Sequence, residues 1–253
     1  RERDPTRPVL LNLGQGVAWD GWHGRGVRTN HPEDYPEYIR GGDIVSFDIY
    51  PVTHDRAPVA GQLGYVGRGV ERLVRWGEGR KIIWNCIECT RIQHPTAKPT
   101  PAQVRSEVWM YPIHGSRGLM YFVHEWQPRF NEAALLDDRE MLAAVTKLNR
   151  QITTLAPVLN GPDVTGALEI RTDKVAVPVV TLVKASGADL FVFAVAMGDQ
   201  PAGANFSLTD PTGAYRTAEV LEENRDLAVE AGQFRDTFEP WGVHLYRLRA
   251  GNP

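Results

Sequence analysis

A short apolar run, Lys81-Ile82-Ile83-Trp84-Asn85-Cys86-Ile87-Glu88, ends in a carboxylate. A glutamate at a strand end can attack an electrophilic carbon or exchange a proton with a leaving group, once its surroundings tune it. Three other runs end in polar and aromatic residues. Asp43 to Tyr50 closes on Asp48 and Tyr50 before Pro51. Gly118 to Glu125 closes on His124 and Glu125, followed by Trp126. Pro8 to Leu13 leads to Gln15, with Trp19, Trp22 and His23 behind it. Six of the seven tryptophans precede residue 130. Their ring faces stack on sugar rings through apolar, polarised C–H contact. A carboxylate among such rings suits chemistry on a carbohydrate.

Each of these residues also has a plainer use. Glu88 could form an ion pair with Arg91 instead of acting on a substrate. Asp48 either caps its strand end or positions Glu88 and hydrogen-bonds a sugar. Tyr50 serves packing or substrate contact. Alternation puts His124 and Trp126 on one face and Glu125 on the other, so Trp126 is the expected sugar platform and Glu125 a structural ion pair. Cys86 and Cys89 have redox-motif spacing, but Cys86 lies inside the run rather than at a helix N-terminus, so two small buried thiols are expected. A metal site from Cys86, Cys89 and His94 would have only three ligands, and none is expected. No cofactor is called for.

The four runs must be strands, and helical patterns alternate with them. Pro32 to Arg40 predicts a short helix. Tyr65 to Gly77 carries Val66, Val70, Leu73 and Val74 on one face. Pro101 to His114 starts on an N-cap threonine followed by proline. Asp137 to Leu155 repeats apolar residues at helical spacing. Four strands alternating with helices imply βα units on a parallel sheet. In a (β/α)8 barrel the C-terminal strand ends form the rim where chemistry sits. That rim gathers Gln15, Trp19, Asp48, Tyr50, Trp84, Glu88, His124 and Trp126.

The pattern changes at Asn160-Gly161-Pro162. Residues 1–159 are expected to form the α/β domain and 163–253 an antiparallel β-sandwich. Its strand candidates are Val175 to Lys184, Asp189 to Ala196, Asn205 to Thr209, Tyr215 to Val220 and Gly242 to Leu248. Asp210-Pro211-Thr212-Gly213 signals a turn, and a turn of helix is expected near Leu221. Apolar residues make up 42% of the chain and charged residues 23%, which excludes a wholly disordered chain. The net charge of −3 offers no field for a nucleic acid. No run approaches the ~18 apolar residues of a membrane span. Arg1 to Pro8 has neither an initiator methionine nor an apolar signal core, so a processed or truncated start is expected, with any targeting signal upstream.

The segments Arg7-Pro8-Val9, Ile83 to Glu88 and Gly118 to Trp126 resemble the last four βα units of retaining (β/α)8 glycoside hydrolases, of the β-galactosidase-like or cellulase-like families. The second part resembles their C-terminal accessory domains. This resemblance implies an α/β partial TIM barrel followed by a β-sandwich. It implies Glu88 as nucleophile, the position of the clan's strand-seven glutamate. It implies an oligosaccharide or polysaccharide substrate. The clan's acid/base glutamate usually follows an asparagine at the end of strand four. No Asn-Glu pair ends a strand here, so the acid/base is expected upstream of Arg1, on a missing N-terminal half-barrel. The chain alone is expected to show little hydrolysis, with Glu125 the first alternative acid. A non-catalytic carbohydrate-binding or structural module is the competing class. A strand-end glutamate within ~8 Å of Glu88 would separate the two. A metal-dependent barrel hydrolase ranks last, because the seven histidines are scattered.

Overall fold

The computed structural model describes residues 6–23, 27–209 and 215–250. The expected turn at Asp210 to Gly213 and the first five residues of the N-terminal stretch lie outside them. Backbone contacts divide the chain into two compact units, Arg1–Ala143 and Ala144–Pro253.

In the first unit, β1 (Leu10–Asn12), β2 (Ile44–Asp48), β3 (Ile82–Glu88) and β4 (Gly118–Phe122) form one sheet in the order β1-β2-β3-β4. All three pairings are parallel. The register sets Asp48 beside Cys86, Cys86 beside Met120, and Glu88 beside Phe122. The segment before β2 is a chain of short turns, Pro32–Asp34, α1 (Tyr35–Tyr38) and Ile39–Gly41, rather than the single helix expected. Prolines at 32 and 36 each remove a backbone donor, and each sits where a new turn starts.

The next crossovers are α2 (Gly64–Trp76) and α3 (Pro101–His114). Helix α3 opens with a reciprocal cap. The Gln103 N–H donates to Thr100 Oγ1 at 3.3 Å, and the Thr100 N–H donates to Gln103 Oε1 at 2.9 Å. It ends on Gly115, whose φ of 111° suits a residue without a Cβ. Val45, Phe47, Ile83 and Ile87 are buried. Phe47 shows where this face points, for its ring meets Tyr111 of α3 at 6.4 Å and lies against Gly69 of α2. The alternate residues Asp48, Trp84 and Cys86 are only partly buried. Short helix α4 (Ala134–Asp137) precedes α5 (Arg139–Leu159), in whose course the first unit ends.

The second unit holds two antiparallel sheets. The larger runs β10-β9-β12-β7-β6: β6 (Val179–Ser186), β7 (Asp189–Ala196), β9 (Tyr215–Val220), β10 (Arg225–Ala228) and β12 (Val243–Ala250). The smaller runs β11-β8-β5: β5 (Leu168–Thr172), β8 (Ala202–Leu208) and β11 (Gln233–Phe238). Val192, Ala194, Tyr246 and Leu248 of the larger sheet share one core with Ala204, Phe206, Phe234 and Phe238 of the smaller. The strand expected from Val175 starts at Val179, after Pro178, and Val175 is 97% exposed. The turn of helix expected near Leu221 is instead a tight turn, because Glu222 and Asn224 have positive φ, outside the right-handed helical region.

Gly69 is where α2 can approach β2. A Cβ built there would come within 2.2 Å of the Phe47 ring. Alanine gains about 1 kcal/mol of helix propensity over glycine, whereas overpacking costs ~1–3 kcal/mol. Gly69→Ala is therefore expected to lower the thermal midpoint. Combining it with Phe47→Leu should cost less than the sum of the two single losses. Strict additivity, read by denaturant unfolding, would refute this contact.

Candidate active site

The segment Tyr50–His54, just after β2, ties neighbouring strand ends together. The Val52 N–H donates to Glu88 Oε1 at 2.6 Å and the Thr53 N–H donates to Oε2 at 3.0 Å. His54 Nε2 lies 2.7 Å from Gln15 Oε1. Trp19 meets the His54 ring edge-on at 5.5 Å. Gln15 and Trp19, read from the sequence as substrate residues, thus gather around a buried histidine that composition did not single out. Burial lowers the pKa of His54 and favours its neutral ring.

Glu88 is fully buried at the end of β3, rather than standing open on a rim. Arg91, its expected alternative partner, binds Glu125 instead, at 3.0 Å. Glu88 meets a second carboxyl, Glu107 on α3. Glu107 is also fully buried, and neither of its carboxyl oxygens receives a donor. Two carboxylates cannot both stay ionised so close together away from water. Burial raises the Glu88 carboxyl to about 7, against the pull of hydrogen bonds from Thr53 and Val52. Burial, then the Glu88 charge, raises Glu107 well above the ordinary range. Because two amides lie within hydrogen-bond distance of the Glu88 oxygens and none lies that close to Glu107, the shared proton belongs on Glu107.

Next to this pair, Asp48 accepts a hydrogen bond from Asn12 Nδ2 at 3.0 Å, and burial raises its pKa. Tyr50 is buried against Phe122, with ring centroids 5.4 Å apart. Its hydroxyl is held protonated by burial first and then by the nearby carboxylates of Asp48 and Glu88. Asp48, Tyr50 and Glu88 are therefore brought together as neighbours. Trp84 lies over Gly118, where an added Cβ would fall 2.4 Å from its ring. His124 touches Phe122 and Phe130, at 5.7 and 5.9 Å. Trp126 packs on Phe130 at 4.9 Å and stays half-exposed. These last two rings form a separate aromatic ledge beyond β4.

Cys86 and Cys89 are free thiols. Burial raises them to about 11 and about 12, which holds both protonated. Cys89 Sγ lies 3.1 Å from the Phe122 carbonyl, as a donor. Among the described residues, no three His, Cys, Asp or Glu side chains converge as a metal site. The residue that sequence reading missed is Glu107. A signal for it exists: it lies three residues after Val104 and four before Tyr111, on the buried stripe of α3.

No family model matches the sequence, and no curated protein matches it. Solved structures do resemble it. A variant of AmyP in complex with maltotriose shares 10% identity and a TM-score of 0.51, over 82% of this chain and 51% of that one. A maltogenic α-amylase, AmyB of Thermotoga neapolitana, gives 10% and 0.52, over 85% and 53%. A β-L-arabinopyranosidase of Geobacillus stearothermophilus in complex with arabinose gives 12% and 0.51, over 96% and 59%. The likeness is one of fold, and the chain spans about half the length of these structures.

The buried pair fixes how stability responds to pH. The folded chain holds a proton that an unfolded glutamate gives up above ~4.3. Stability is then lost as pH rises toward the raised folded value. His54 and His114, lowered by burial, act in the opposite sense, but only below their ordinary value of 6.5. Between about pH 7 and 8, above the range in which the histidines titrate, the carboxyl proton sets the sign of the slope. Thermal melts of the intact protein should therefore show a falling midpoint across that window. A flat or rising midpoint would contradict a shared buried proton.

Proposed function

We propose that this chain is the C-terminal half of the (β/α)8 catalytic barrel of a retaining glycoside hydrolase, residues 1–159, followed by an accessory β-sandwich, residues 163–253. The observation that carries this reading is the cluster of Asp48, Tyr50 and Glu88 at the C-terminal ends of adjacent parallel strands. The fold shared with structures that hold maltotriose and arabinose supports an oligosaccharide or polysaccharide substrate. The solvent-exposed Leu10 and Ile82 on β1 and β3 fit a sheet that another half-barrel covers.

In this reading Glu88 is the nucleophile. Its oxygen bonds to the anomeric carbon as the glycosidic C–O bond breaks, while an acid on the other half-barrel protonates the leaving oxygen. That residue then takes a proton from water, the water oxygen displaces Glu88, and the sugar leaves with retained configuration. The acid/base of this reading, ~5–5.5 Å from Glu88, is a residue of the other half-barrel. Asp48 and Tyr50 position the carboxylate, Trp84, His124 and Trp126 offer apolar platforms, and Gln15 and Trp19 border the first strand end. The Tyr50–His54 segment covers Glu88, so it must give way to expose one carboxylate oxygen.

A second reading, a non-catalytic carbohydrate-binding or structural barrel module, is favoured by that burial. Both Glu88 oxygens are already bound by backbone amides, as a purely structural carboxylate would be. Glu88→Gln in the intact protein separates the two. The nucleophile reading expects a native melt with aryl-glycoside turnover reduced by ~10³-fold or more, the scale on which removing a covalent catalyst acts. Unchanged turnover would reject it in favour of the module.

A further inference from the structure

Glu107 has no part in the mechanism above, yet it is the most completely enclosed ionisable carboxyl touching the candidate nucleophile. It sits on α3, in the layer behind the sheet, between Val104 and Tyr111 on the same buried stripe. Both of its oxygens are out of contact with solvent and receive no donor. A buried acceptor left in this state would cost ~1–3 kcal/mol, more if charged. A proton on Glu107 removes that cost, since the acid becomes a donor and Glu88 is the acceptor it faces.

We propose that Glu107 is a positioning residue, a neutral carboxylic acid whose O–H donates to the Glu88 carboxylate and fixes the orientation from which Glu88 reacts. The pair carries one proton and one negative charge. Three donors then surround Glu88: the Val52 and Thr53 amides and the Glu107 hydroxyl. The other titratable groups facing the pair are Tyr50 beyond β2, Tyr111 on α3 and Cys89 after β3. None of these groups is a cation, and the causes that set the Glu88 and Glu107 carboxyls include none either. The positioning role rests on the nucleophile reading, whereas the shared proton does not.

The test uses the intact protein with Glu107→Gln and Glu107→Leu. Glutamine keeps the shape and a donor to Glu88 without a titrating proton; leucine keeps the volume and removes the donor. Infrared difference spectra at about pH 8 should contain a protonated-carboxyl C=O band in the natural protein that is lost in Glu107→Gln. No such band overturns the shared proton, whether or not the protein turns over glycosides. With turnover, Glu107→Gln should stay within ~10-fold of the natural kcat. Glu107→Leu should lose ~10²-fold in kcat, the scale of a misplaced reacting group, with KM little changed. Its acid limb of kcat/KM should move to higher pH, because Glu88 has lost a donor to its charged form. A Glu107→Leu variant with natural kcat and pH profile overturns the positioning role. A protein inactive in every form would sink the glycosidase reading alone, leaving the infrared band to decide the proton.

Discussion

One negative charge has to be kept in a buried interior at the end of β3, where among the described residues the groups that set it include backbone amides and a second carboxyl but no cation. Carboxylates are rarely buried without a partner, because desolvation is costly. Here the backbone takes the place of a cation. Two consecutive amides, from Val52 and Thr53, reach the Glu88 oxygens. For them to do so, the chain must turn sharply after Tyr50, and the longer loop that follows is closed by the Gly61 N–H, which donates to the Pro51 carbonyl at 2.8 Å. The same turn delivers His54 to Gln15. The parallel register brings β2 beside β3, and α3 supplies the second carboxyl. A break in any of these would leave a charge or an amide unsatisfied.

Much of the fold was legible in the sequence. Helix α3 and strands β7 and β9 fall on the residues expected, α3 because a capping box marks its start and β7 because its apolar run is nearly continuous. Strands β5, β10 and β11 were not foreseen. Their sequences, LEIRT, RDLA and QFRDTF, are half charged or polar. In β11 the alternation was present, with Phe234, Asp236 and Phe238 inward, but an inward aspartate masks it. Asp236 is tolerated there because Arg225 and Tyr246 bond to it, at 2.8 and 2.9 Å. Those partners come from other strands, so the pattern of one segment cannot announce them.

The candidate site was legible to a similar degree. Glu88, Asp48 and Tyr50 stand at strand ends that alternation and proline placement define, and the structure gathers them. Trp126 and His124 lie on the expected segment but form a ledge with Phe130, a contact across a loop. Glu107 and the amides of Val52 and Thr53 escaped attention for opposite reasons. A backbone donor leaves no mark in a side-chain sequence. A lone glutamate on a helix reads as a solvated residue unless its neighbours are seen to be the buried ones.

The most direct test lies in the covalent chemistry of Glu88. The intact protein would be treated with an activated 2-deoxy-2-fluoro glycoside, which slows release of a glycosyl-enzyme more than its formation, and the labelled peptides identified by mass spectrometry. A nucleophilic Glu88 predicts one glycosyl unit on the peptide that carries Glu88, and none after Glu88→Gln. A glycosyl unit on a different carboxylate, with Glu88 unmodified, would contradict it.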